Sequence, residues 1–161
     1  MKIDQKEVMT TNYEFAEYAH RLALPLVGVF NKDTLPQIPQ DGCYLVNLQD
    51  DNDENGNPQF GTHWVCFYIE KKHACYFDSF GFIPPLQIRH FLKRYMPIAY
   101  STKQVQNPRS HACGYYCLYF FWYMTRNKKV PLTKRFDMFM DLWSDDVSEN
   151  QDRLKKYLLP L

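Results

Sequence analysis

One stretch constrains this chain more than any other: CGYYCLYFFWYMTR, residues 113–126, is apolar on nearly every side. A helix with one apolar stripe lies on a surface, whereas a helix apolar all round must be enclosed. No apolar run in the chain approaches the length of a membrane span, so the enclosure has to be protein. With 161 residues, 45% of them hydrophobic and 17% aromatic, the chain can wrap such a helix as one domain over 1–161. That composition excludes a disordered or collagen-like chain.

The wrapping elements can be read from periodicity. Thr11 and Glu14 have the form of a capping box, and Phe15, Tyr18, Ala19 and Leu22 then recur at helical spacing up to Pro25. Prolines 36 and 39 interrupt the next stretch, and CYLVNL at 43–48 reads as a short buried strand. The polar segment 49–61, with Asn55 and Gly56 at its tip, reads as a surface loop. WVCFYI at 64–69 and ACYFD at 74–78, separated by charged residues, make a β-hairpin. Pro84 and Pro85 open a helix through Tyr95, 98–105 is extended, and two further helices are expected over 133–143, with Thr133 as cap, and 148–159.

Net charge is +1, but it is unevenly spread. Residues 86–109 carry five Lys or Arg and no acid, as do residues 126–135, while acid collects at 50–54 and 145–149. Such patches are solvated faces or a nucleic-acid contact surface. The start, MKIDQKEVMTTNYEF, lacks the apolar core of a secretory signal, so export is not expected, nor is membrane association. Five cysteines, at 43, 66, 75, 113 and 117, are an odd number and suit a reducing compartment better than a disulfide framework.

Cys113 stands where the polar loop QNPRSHA turns into the apolar helix. Unpaired amides of a first helical turn lower a thiol pKa, and Gly114 beside it would let a substrate backbone approach. A thiol nucleophile needs a histidine base, itself oriented by a third group. His63 enters the hairpin and Asp78 leaves it, 15 residues later. One antiparallel register sets them directly opposite, with Cβ atoms about 5 Å apart, and it also sets Cys66 opposite Cys75, as two core thiols or, alternatively, a cross-strand disulfide. Gln106, seven residues before Cys113, is a side-chain amide that can serve a developing oxyanion. Gln104, Asn107 and Ser110 are near enough to compete for that role or to cap the helix.

These residues resemble the adenain family, the maturation proteases of adenoviruses, with relatives in virophages and polinton-type elements. The resemblance is carried by GTHWVCFY at 61–68, ACYFDSFGF at 74–82 and QVQNPRSHACGYYC at 104–117, with GVFNKD at 28–33 and NQDRLKKYLL at 150–159 also similar. It implies Cys113 as nucleophile, His63 as general base, Asp78 as its orienting acid, and Gln106 with the Cys113 amide as oxyanion hole. It implies that Trp64 shields the catalytic histidine or lines the substrate channel, as a substrate-binding residue with Gly114; a plain core tryptophan is the alternative. It further implies an α+β, papain-like fold shared with ubiquitin-like-protein proteases, a central mixed sheet flanked by helices and the nucleophile at the start of the buried one. The implied task is cleavage of viral capsid precursors at small-residue, Gly-Gly-like sites, in the virion or the host cell's viral factory. Asp78 stands where the family has glutamate. The family's peptide activator is joined through a cysteine absent from 94–103 here, which argues against a disulfide-tethered peptide; DNA stimulation would rest on the basic patches.

The alternatives are a processing protease or isopeptidase for ubiquitin-like proteins, a metal-binding module using Cys113, Cys117, His111 and His73, and a non-catalytic relative kept for binding. The site as read requires no metal or cofactor.

Overall fold

The apolar helix is enclosed on both sides. In the computed structural model, which describes residues 12–48, 54–56 and 63–161, this helix is α3, Cys113–Met124, and ten of its twelve residues are buried. The chain is α+β. Its other elements are α1 (Asn12–Arg21), β1 (Leu26–Asn31), β2 (Gly42–Asn47), β3 (Trp64–Glu70), β4 (His73–Phe77), α2 (Leu86–Phe91), a 3₁₀ turn (Lys93–Tyr95), β5 (Ala99–Tyr100), α4 (Leu132–Met140) and α5 (Val147–Leu158). No helix among the described residues is long and apolar enough to cross a membrane.

The five strands form one mixed sheet in chain order, with β1·β2 and β4·β5 parallel and the two central pairings antiparallel. Alternation divides their side chains between two faces. Cys43, Leu45, Cys66, Tyr68, Cys75 and Phe77 lie in the same core as α1, α3, α4 and α5. Tyr44, Val46, Val65, Phe67 and Tyr76 lie in a second core, closed by Ile88 and Leu92 of the α2 region. Both faces are covered, which is why β2 and β4 read as apolar runs rather than as alternating strands. Aromatic rings fill the α3 side: Phe77 stacks on Phe120 at 5.3 Å, and Phe15 meets Phe121 edge-on at 5.9 Å.

The C-terminal end of α3 is held by a buried cation. Arg135 on α4 is 2% exposed, donates to the carbonyls of Val130 and Met124, and pairs with Glu70 at the end of β3 at 2.9 Å. It therefore does not belong to a basic surface, which corrects the reading of 126–135 as five solvated cations. Removing either partner of such a buried pair costs about 3–5 kcal/mol, because the survivor is left uncompensated. In the other basic segment, Lys103 is engaged with the Trp143 carbonyl and Asp145.

Several boundaries differ from the sequence reading. β1, whose residues are all only half-buried, went unread because Gly28 and the flanking prolines mask it. The helix expected through Tyr95 breaks at Leu92 into the 3₁₀ turn, ahead of Pro97. Only Ala99–Tyr100 of the 98–105 segment pairs as strand. Pro131, not Thr133, occupies the N-cap of α4, and Thr133 is an exposed residue inside it. The expected cap at Thr11 and most of the 49–61 loop lie outside the described residues; Glu54, Asn55 and Gly56 are exposed and form a turn.

The hairpin register is also corrected. Glu70 pairs with His73, Tyr68 with Cys75 and Cys66 with Phe77, two residues out of step with a register that opposes His63 and Asp78. The cause lies at the turn. Lys71 takes the left-handed conformation (φ 57°) and donates its N–H to Asp41 at 2.8 Å, while Glu70 stays in the strand to meet Arg135. Cys66 and Cys75 consequently do not face each other, and all five cysteines are free thiols.

Candidate active site

A two-residue shift keeps every side chain on its face, so His63 and Asp78 still meet, diagonally and just beyond the paired strands. Asp78 turns out of β4 through a tight bend, closed by the Gly81 N–H on the Asp78 carbonyl at 2.9 Å. Asp78 Oδ1 accepts from His63 Nε2 at 2.8 Å and from the Phe80 N–H at 2.8 Å. Asp78 is 2% exposed, so this pair works where water screens it little. Phe80, inside this bend, stacks on the imidazole with ring centroids 4.5 Å apart. The His63 carbonyl accepts from the Leu48 N–H, tying the histidine's backbone to the end of β2.

Cys113 is the first residue of α3, and the helix begins at Ala112 with no side-chain cap. The thiol is 6% exposed, and the Trp64 N–H points at Sγ at 3.5 Å. One turn further on, Cys117 Sγ donates to the Trp64 carbonyl at 3.6 Å. Residue 64 is thereby gripped through both its backbone groups by cysteines at i and i+4 of one helix face. This docks the start of β3, and with it His63, onto the first turn of α3. The Trp64 indole is half-buried against the α3 core. Gly114 is buried in the same first turn.

With Nε2 committed to Asp78, Nδ1 is the nitrogen available to Cys113, the other polar side chain acting on the ring. Burial by itself would depress the imidazole's pKa. The hydrogen bond to Asp78 and the negative charges that Asp78 and Cys113 can carry outweigh it and raise the value from 6.5 to about 9. The arrangement can hold an imidazolium beside a sulfur at neutral pH, the state a thiol nucleophile requires.

Gln106 lies at the end of the segment preceding this helix and is fully buried. Its Nε2 donates to the Ser110 carbonyl at 2.8 Å and its Oε1 accepts from the Ser79 hydroxyl at 2.5 Å. The other candidates for its role also make local contacts. Gln104 Nε2 donates to the Gln106 carbonyl, Asn107 Oδ1 accepts from the Arg109 N–H, and Ser110 Oγ accepts from the Ala112 N–H. The bend at 78–81 presses against this segment. Gly81 has φ 78°, and a Cβ there would lie 2.6 Å from the Thr102 carbonyl oxygen.

The metal-binding alternative fails on placement. His73 opens β4 and His111 is exposed in the loop before α3, and no group of three or more His, Cys, Asp or Glu side chains among the described residues could hold a metal ion. Sequence reasoning missed Ser79, Phe80 and Cys117. Only Cys117 had a readable signal, its i+4 spacing from Cys113 on a helix known to be buried.

No family model matches the chain. It is 30% identical over 128 residues to a protease of human adenovirus A serotype 12, a match covering 67% of this chain and 59% of that protein, so it spans less than two thirds of that relative's length. It is 29% identical over 158 residues to a protease of bovine adenovirus 2, covering 81% of this chain and 71% of that protein. Over most of its length, then, the chain that brings Asp78, His63 and Cys113 together is similar to adenovirus proteases.

Proposed function

We propose that the protein is a cysteine endopeptidase of papain-like architecture that cleaves viral precursor proteins during particle maturation. The observation that carries the reading is His63, held by Asp78 through Nε2 and followed in the chain by Trp64, whose N–H points at Cys113 Sγ at the start of α3. The similarity to adenovirus proteases supports it.

The steps follow from the geometry. The Cys113 thiolate, steadied by the Trp64 amide, attacks the scissile carbonyl. The resulting oxyanion is met by the Cys113 N–H and by Gln106 Nε2, one of whose two hydrogens is already given to Ser110. The imidazolium gives its proton to the departing amine, leaving a thioester, and neutral His63 then activates the water that releases it. Asp78 keeps the imidazole in one orientation throughout. Gly114 lets the substrate backbone come close to the sulfur, which suits small residues beside the cut and Gly-Gly-like sites.

The reaction so drawn needs no metal or cofactor. With no cysteine in 94–103, a disulfide-tethered peptide has no attachment there; activation by DNA or a non-covalent peptide would act through the basic residues of 86–109. The place of action is the particle and the viral factory of the host cell.

The test is incubation with viral structural precursors, wild type against Cys113→Ala, with new termini read by mass spectrometry. Cuts made by the wild type alone, at small residues, are expected. Cleavage of ubiquitin-like conjugates with no cleavage of viral precursors would transfer the protein to the processing class.

A further inference from the structure

The turn that orients the histidine also touches the second half of the machinery. Ser79 follows Asp78 directly, is fully buried, and faces the Gln106 segment with both its carbonyl and its hydroxyl. Its carbonyl accepts from the Val105 and Gln106 N–H groups, both at 2.9 Å, and its hydroxyl reaches Gln106 Oε1 at 2.5 Å.

These contacts decide which way the Gln106 amide points. The Ser110 carbonyl can only accept, so the amide atom 2.8 Å from it must be the nitrogen. The oxygen is then the atom at Ser79, whose hydroxyl can donate. A flipped amide would set two acceptors against each other at Ser110. Without the Ser79 hydroxyl, Oε1 would be a buried acceptor with no donor, and the amide would lose one of the two contacts that hold its plane.

We propose that Ser79 is a positioning residue that locks the Gln106 amide with its nitrogen presented as oxyanion donor. The dipeptide Asp78–Ser79 thereby sets the general base and the oxyanion hole from a single turn. This rests on the reading of Gln106 as an oxyanion donor. Ser79 touches neither substrate nor sulfur; its effect passes through Gln106. Coupling the two halves through adjacent residues means that a displacement of the 78–81 bend would disturb base and donor together.

The experiment compares Ser79→Ala, Gln106→Ala and the double variant on two readouts. One is kcat and KM on a quenched peptide spanning a mapped precursor cut. The other is the pH profile of Cys113 alkylation by iodoacetamide, a reaction that forms no oxyanion. Deleting one oxyanion donor lowers kcat by about 10²–10³-fold, and loosening it is expected to lower kcat about tenfold. Ser79→Ala should therefore reduce kcat about tenfold with KM and the alkylation profile unchanged, and should add less than about twofold in the Gln106→Ala background. Ser79→Cys, which keeps a weaker donor in a similar volume, should fall between serine and alanine, and it supplies the comparison where the alanine variant does not fold.

Equal losses from Ser79→Ala with and without Gln106, or a displaced alkylation profile, would overturn the proposal and make Ser79 a structural residue. A Gln106→Ala enzyme with full kcat would instead overturn the oxyanion reading beneath it. Normal Cys113 alkylation with no peptide cleavage by the wild type would count against the peptidase function itself.

Discussion

Cys113 and Cys75 are both buried thiols on the α3 side of the sheet, 6% and 0% exposed, yet their surroundings ask opposite things of them. Cys75 lies among Tyr68, Phe77 and the other core side chains and donates to the Tyr68 carbonyl, 3.9 Å away. Burial drives its pKa far up, as it does for Cys43 and Cys66, and raises that of Cys117. Cys113 has an amide aimed at its sulfur and an imidazole beside it. A few per cent of exposure does not separate a reactive thiol from an inert one here. Donors and a proton acceptor do.

The largest test of that contrast is Cys113→Ala. Peptidase activity should fall by about 10⁴-fold or more, with the chain still folded, since the substitution removes one atom at the edge of the core. Residual cleavage near the wild-type rate would place the nucleophile elsewhere.

Asp78→Asn comes next. The carboxylate holds the imidazole's orientation and its charge, and losing both in a triad costs about 10²–10⁴-fold in kcat. The same change alters the pH dependence of stability. His63's folded pKa is raised from 6.5 to about 9, so its interactions stabilise the fold fully below pH 6.5 and fade as pH rises through 9. Urea unfolding of the two proteins should show a stability gap at pH 6 that narrows by pH 10. A gap that widens with pH would contradict the charged pair.

Phe80→Ala is smaller. The ring covers one face of the imidazole, and aromatic pairs of this kind contribute about 0.5–1.5 kcal/mol. That corresponds to a loss of up to about tenfold in kcat if the contact holds His63 in its working position. Phe80→Leu should recover part of it, since much of the cover is apolar area.

The same contrast separates what could be read in the sequence from what could not. The helix 113–126 and the hairpin announce themselves because their patterns are local: an unbroken apolar run in one, aromatic and β-branched residues around a charged turn in the other. Local pattern also put His63, Asp78 and Cys113 forward, each at an element's end. The register was not readable, because it is decided by Asp41 taking the Lys71 amide and Arg135 taking Glu70, partners 30 and 65 residues away. Arg135 read as surface charge for the same reason. Gln106 was one of four polar candidates, and its burial with both amide atoms bonded depends on Ser79 and Ser110 in the packed chain; Ser79 carried no signal, being one serine beside an aspartate. His63 and Asp78 meet although the expected register was wrong, since a slip of two residues preserves the face.

The smallest effect on activity, and the sharpest check on the contrast, belongs to Cys75. It lies opposite Tyr68 in the sheet, away from the first turn of α3. Cys75→Ala removes a sulfur from a packed interior, a change of about 1 kcal/mol in stability by analogy with a buried methylene. Cleavage should stay within about twofold of wild type. Labelling gives the complementary number. All five thiols are free, but only Cys113 has donors and an imidazole beside it, so brief iodoacetamide treatment of the native protein should modify one cysteine, none in Cys113→Ala, and all five after denaturation. If Cys75 or Cys66 were alkylated in the native protein at a rate near that of Cys113, burial would not be silencing those thiols. The division between one working cysteine and four packed ones would then fail.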